Sequence, residues 1–215
     1  WSSETEKDFT NLNFGNYVFK VRAKINKSIY NNLGKAVFKA HKKLEEFAAS
    51  NALALKDLNT TLIFTLIKKY PDGYTFLSFG VGDCPIAIVD KDKTEVVLMN
   101  WLDVGDFGGG TRFITMPEIF KSDKFASRFG FRVMKDFSYL VLMSDGIYDP
   151  KFVVENALAD INKWQQFLED LGGKNEDKVA VVLQKNNPEI VNEFSRWMDF
   201  WSPGNHDDRT LAIVF

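Results

Sequence analysis

The segment Ser138-Tyr139-Leu140-Val141-Leu142-Met143 is apolar at nearly every position, not at alternate ones. A strand of that kind offers no face to water, so it predicts burial on both sides. It also stops abruptly, on Ser144-Asp145-Gly146. A carboxylate delivered by a buried strand is costly without a partner, and a hard cation is the natural one. A plain Asp-Gly turn is the simpler reading of these residues taken alone.

The elements around this strand set the fold class. Apolar residues at three- and four-residue spacing predict a helix over 17–30 and another over 35–50, with Gly34 between them. The texture then turns β-branched and apolar. Strands are expected over 60–67 and 74–79, joined through Pro71-Asp72-Gly73, and over 85–89 and 95–99, joined through Asp90-Lys91-Asp92-Lys93. These four read as an antiparallel meander. Residues 101–115 are loop-like, and 131–133 with 138–143 read as a strand pair. Helices are expected over 152–171 and 188–201, with Gly172-Gly173 as the break, and a last strand over 210–215. Helices, then strands, then helices and a closing strand argue for α+β. The 215 residues fit one domain, 1–215, because a single core can grow to roughly 250 residues.

Two further carboxylate groups sit at strand junctions. Asn205-His206-Asp207-Asp208-Arg209-Thr210 precedes the final strand, and Gly80-Val81-Gly82-Asp83-Cys84 lies between two others. A solvated loop and a tight turn, respectively, account for each alone. Three Asp sites in a chain with two His and one Cys favour oxygen chemistry with Mg²⁺ or Mn²⁺.

Thr60-Thr61-Leu62-Ile63, Val81-Gly82-Asp83-Cys84, Leu142-Met143-Ser144-Asp145-Gly146-Ile147-Tyr148-Asp149 and His206-Asp207-Asp208-Arg209-Thr210 follow one another in a recognisable order and spacing. That set resembles the PP2C (PPM) metal-dependent serine/threonine protein phosphatases over residues 34–215. Gly105-Asp106-Phe107, Thr111-Arg112-Phe113 and Trp201-Ser202-Pro203-Gly204 are similar to the divergent bacterial branch. The resemblance implies an α-β-β-α sandwich of two antiparallel sheets flanked by helices. It implies hydrolysis of phosphoserine and phosphothreonine by water that two Mn²⁺ or Mg²⁺ ions activate, a third ion being an option. Asp145 and Asp207 match metal ligands, and Asp83 matches a ligand of an additional, weaker site. Asp208 stands where the family usually has Asn. Gly146, Gly82 and His206 would support these ligands. The implied partners are a phosphoprotein substrate and a cognate serine/threonine kinase.

One departure qualifies this. The family's N-terminal strands carry an acidic motif, a phosphate-binding Arg and an Asp-Gly-x-Gly whose Asp bridges both metals. Residues 1–33 hold none of these; their only glycine is Gly15, in Asn13-Phe14-Gly15-Asn16. The chain also begins at Trp1 rather than Met. The expectation is a domain lacking its N-terminal strands, whose missing fragment could be a partner, or else a pseudophosphatase serving as a regulatory or binding module. A hydrolase of small phosphorylated metabolites is the other rival.

Other signals are weaker. Asp106-Phe107-Gly108 spells a kinase magnesium motif without the catalytic-loop His-Arg-Asp, and Gly108-Gly109-Gly110 lacks the Lys-Ser/Thr of a P-loop; a glycine-rich flap is preferred. Cys84 reads as a small residue at a strand start, and His41 as part of a solvated helix face. Trp164, Phe167, Phe194, Trp197, Phe200 and Trp201 read as core, as do most of the 20 Phe. The 27 basic and 29 acidic residues leave a net charge of -2, which gives no footprint for nucleic acid or an anionic membrane. No apolar run approaches a membrane span, and the polar start does not read as a signal peptide. A single Cys forms no internal disulfide, and a reducing, cytoplasmic setting is expected.

Overall fold

The computed structural model describes residues 14–103, 110–201 and 207–215, with side chains from residue 31 onward except 122 and 123. The chain forms two compact units, 1–59 and 60–215. In the first, α1 (Phe14–Ser50) is one uninterrupted helix of 37 residues, followed by a 3₁₀ turn at Leu55–Leu58. The expected break at Gly34 is absent. An interior glycine costs a helix only about 1 kcal/mol relative to Ala, and the periodic residues on both sides outweigh it. Val37, His41 and Ala48 are buried, and Leu44 between them is half-buried. That spacing puts His41 on the apolar stripe, with Glu45 at 3.2 Å, which corrects the expectation of a solvated histidine.

Among the described residues, the second unit holds seven strands in two antiparallel sheets. β1 (Leu62–Tyr70), β2 (Gly73–Val81) and β5 (Phe129–Met134) form one, in the order β1-β2-β5. β3 (Ile86–Asp90), β4 (Val96–Leu98), β6 (Phe137–Met143) and β7 (Leu211–Val214) form the other, in the order β4-β3-β6-β7. The strands lie close to where the sequence puts them, but two expected pairings do not form. The chain changes sheets between β2 and β3, so the four early strands are not one meander. β5 pairs with β2, and β6 with β3 and β7, so β5 and β6 are not partners. Alternation marks a strand's faces and leaves its neighbour open.

β6 is an inner strand, as its unbroken apolarity requires. Leu140 joins Phe76, Ile86, Ile88 and Met99 in a core between the sheets. Val141 and Met143, with Ala87 and Val89, face the other way. They pack under α3 (Asp145–Phe152), α4 (Ile161–Leu171) and α5 (Ile190–Met198), through Ile147, Trp164, Phe167 and Trp197. Each fully buried large side chain contributes about 1.5–3 kcal/mol. Trp164, fully buried, also donates its Nε1–H to the Leu158 carbonyl at 2.8 Å. On the outer side of the first sheet, Phe79 meets Phe64, Phe129 and Phe125. Phe125 belongs to the short α2 (Ser122–Ala126) and touches Phe120 of a 3₁₀ turn at Pro117–Phe120. The unit is therefore two sheets face to face with helices on both outer sides. Much of the phenylalanine excess fills these layers. Trp201 corrects the aromatic expectation: it is 75% exposed, because α5 ends at Met198.

Candidate functional site

The site assembles where β6 ends. Ser144 is still extended, and Asp145 opens α3 rather than a simple turn. The Ser144 N–H donates to the Thr210 carbonyl at 3.0 Å, and its hydroxyl accepts from the Thr210 N–H at 2.9 Å and donates to the Asp208 carbonyl at 3.1 Å. These bonds continue the β6–β7 ladder past its last residues and bring the Asp207-Asp208 backbone against α3. Gly146 makes that approach possible. A Cβ there would lie 2.4 Å from the Asp208 carbonyl oxygen and 3.1 Å from that of Asp207. Gly146→Ala is expected to cost about 1–3 kcal/mol by overpacking against backbone. A urea titration checks this; an unchanged midpoint would mean that the 207–208 segment yields freely.

Asp83 arrives from the sheet-switching connection. Gly82 has φ +107, a region that disfavours side chains, and a Cβ would meet Thr61 at 2.3 Å. Its N–H donates to Asp103 Oδ2 at 2.9 Å, and its carbonyl accepts from the Asp103 N–H at 2.9 Å. Asp103 is in turn gripped by Arg128, with Nη1–Oδ2 at 2.6 Å and Nη2–Oδ1 at 3.0 Å. Asn100 ties down the next residues by accepting from the Ile86 N–H and donating to the Cys84 carbonyl. Asp83 itself receives the Thr111 hydroxyl at Oδ2, 2.6 Å away, while its Oδ1 is buried without a hydrogen-bond partner.

The carboxylates of these segments feel one another. Burial pushes the Asp145 carboxyl above its ordinary range, and the charges of Asp83 and Asp207 add to this against a hydrogen bond from the Gly146 N–H. A carboxylate in the first turn of a helix is normally favoured by the helix dipole; here burial and like charge outweigh that. Asp149, one turn on, is also raised, by partial desolvation and then by Asp145, Asp83 and Asp207. Tyr148 is pushed up to about 12, mainly by burial, with Asp149 next. Burial likewise raises the Cys84 thiol, with Asp83 and Asp145 contributing, while Thr61 at 3.5 Å opposes. The thiol is buried just before β3, as a small structural residue would be.

The charges of Asp83 and Asp207 therefore reach Asp145 from two other, distant parts of the chain. Asp208 meets the site through its backbone. His206 and, apart from Gly110, the Asp106 to Gly110 stretch expected to form a glycine-rich flap lie outside the described residues. Asp149 was missed by the sequence reading. Its signal was the four-residue spacing from Asp145, legible only once Ser144-Asp145-Gly146 is taken as a helix start. Asp103 and Arg128 were missed as well, because nothing local pairs residues so far apart.

The donor set suits a hard divalent cation. It is all oxygen and mutually repelling, and it includes a buried carboxylate oxygen that lacks a donor. Among the described residues, no three His, Cys, Asp or Glu side chains are close enough to enclose an ion. No helix among them is long and apolar enough to cross a membrane.

Known structures and sequences give the following likenesses. The chain is similar to the phosphatase domain of the cell fate determinant SpoIIE from Bacillus subtilis, at 17% identity and TM-score 0.36, over 85% of this chain and 71% of that one. It is similar to the serine/threonine phosphatase Stp1 from Staphylococcus aureus, at 16% identity and TM-score 0.46, over 86% of this chain and 66% of that one. No curated protein matches the sequence. A family model described as protein phosphatase 2C matches residues 5–186, starting before the first of the four motifs and ending before Asp207. The chain belongs to the protein phosphatase 2C family.

Proposed function

We propose that this chain carries the metal site of a phosphatase that hydrolyses phosphoserine and phosphothreonine on proteins, with Asp145 and Asp207 as the principal ligands. Asp83 and Asp149 would complete the set, and Asp208 would be a lesser contributor. Besides family membership, the observation that carries this reading is the raised Asp145 carboxyl, with Asp83 and Asp207 as its charged neighbours. Mn²⁺ or Mg²⁺ bound there would offset that repulsion, draw in the phosphoryl oxygens and acidify water. The two candidate nucleophiles adjacent in sequence to Asp145 and Asp83 are committed elsewhere. The Ser144 hydroxyl bonds Asp208 and Thr210, and the Cys84 thiol is buried with its proton held tightly. Water is left as the attacking group.

The alternative is a regulatory or binding module that keeps the fold without turnover. The absence of an Asp-Gly pair in residues 1–33 favours it for this chain alone. Turnover of p-nitrophenyl phosphate by the 215-residue chain with Mn²⁺ is therefore expected to be slow, and to vanish with EDTA. If an Asp-Gly-x-Gly lies upstream in the coding sequence, a version extended to include it should turn over far faster, and should prefer phosphopeptides to phosphorylated metabolites. Such a version remaining inactive would select the module, and hydrolysis indifferent to EDTA would sink the metal chemistry. A phosphoprotein, and the kinase that makes it, are the partners this reading requires.

A further inference from the structure

Two aspartates beside the Gly82 backbone, one next to it in sequence and one bonded to it from the segment after β4, are treated in opposite ways. Asp103 is neutralised: Arg128 grips both its oxygens, and Arg112 Nε stands 3.7 Å away. Asp83, beside the Gly82 that Asp103 holds, is given a neutral donor instead. The Thr111 hydroxyl bonds Oδ2 at 2.6 Å, and Oδ1 is buried and unpartnered. A hydroxyl fixes a carboxylate without cancelling its charge, whereas a guanidinium does both. Asp145, Asp149, Tyr148 and Cys84 all feel the charge of Asp83. A carboxylate oxygen left buried without a donor is costly unless a cation arrives.

We propose that Thr111 is a positioning residue: it pins one oxygen of Asp83 so that the carboxylate presents only Oδ1 to a bound divalent cation. The inference rests on the metal-site reading above. Ligating carboxylates held by an outer hydrogen bond lose affinity when that bond is removed, typically by about 10–100-fold. Thr111 suits the task because its backbone is bound to the segment leading from Gly110 into Ile114, whose N–H donates to the Thr60 carbonyl at the head of β1. Its partner is thus fixed from a segment other than the one bearing Asp83.

The test is a Mn²⁺ titration of the 215-residue chain, following free Mn²⁺ by electron paramagnetic resonance, together with thermal melting in EDTA. Thr111→Val keeps the shape and removes the donor; it should weaken binding about tenfold. Thr111→Ser keeps the donor and should bind within about twofold of the parent. Metal-free melting of Thr111→Val should stay within about a degree or two, since the bond serves the ion and not the fold. Equal Mn²⁺ affinity in Thr111→Val, or a Ser variant as weak as the Val variant, would overturn the proposal. So would a Val variant whose weaker binding follows from a lower metal-free melting point. If Asp83→Asn weakens binding and Thr111→Val does not, only this inference falls. If the parent chain binds no Mn²⁺ at all, the metal-site reading falls with it.

Discussion

Asp103→Ala should lower the stability of the domain by about 3–5 kcal/mol, the cost of leaving a buried guanidinium unpaired. Arg128 is only 8% exposed and the Asp103 side chain 15%, so water cannot replace the lost partner. Arg128 Nη1 would keep only a 3.3 Å contact with the Gly80 carbonyl, and its Nε has no partner even in the parent. A loss of that size is a large part of the 5–15 kcal/mol that holds a typical domain together. Urea denaturation measures it. The paired replacement Asp103→Leu with Arg128→Met should recover much of the loss, because it removes both charges at once. A single-variant loss below about 0.5 kcal/mol, as for an exposed pair, would show that the clamp carries no weight.

Asp145→Asn should move two measurements in opposite directions. Mn²⁺-dependent turnover should fall by about a thousandfold or more, a loss on the order of 4 kcal/mol of barrier lowering. The metal-free chain, in contrast, should melt roughly 2–4 °C higher at pH 7. Burial raises the Asp145 carboxyl above its ordinary value in the folded state, so the folded state holds its proton more tightly than the unfolded one. The ionised form therefore opposes folding at neutral pH. That penalty fades as pH falls through the raised pKa toward 3.8, and the melting advantage of the variant should fade with it. The amide can still accept the Gly146 N–H, which bonds Asp145 Oδ1 at 2.9 Å. Added Mn²⁺ should raise the melting point of the parent and not that of the variant. A metal-free variant that melts lower would mean Asp145 serves the fold rather than a cation.

Much of this was legible in the sequence, for particular reasons. The inner position of β6 followed from its unbroken apolarity. The glycines at 82 and 146 read as turn residues, their close contacts appearing only in the fold, and Asp83, Asp145 and Asp207 stood out as carboxylates at strand ends. Strand partners were not legible. β2 and β3 are adjacent in sequence and apolar, and only packing assigns them to different sheets. Gly34 looked like a helix boundary because its propensity cost is visible in sequence, whereas the periodic residues that override it act over many turns. Asp149 and the Asp103–Arg128 pair depended on three-dimensional placement that local spacing does not carry.

The order β4-β3-β6-β7 gives the acidic cluster an uneven footing. Asp145 is anchored at the end of an inner strand with neighbours on both sides, so it keeps its place for as long as the domain is folded. Asp207 precedes β7, a four-residue edge strand bonded to β6 alone in the described sheet. Edge strands fray in local openings that leave the core intact. Such fraying would withdraw Asp207 and relax the repulsion on Asp145 in one step. An ion gripping both would then act as a clasp on the C-terminal strand, tying the end of the chain to the permanence of its centre.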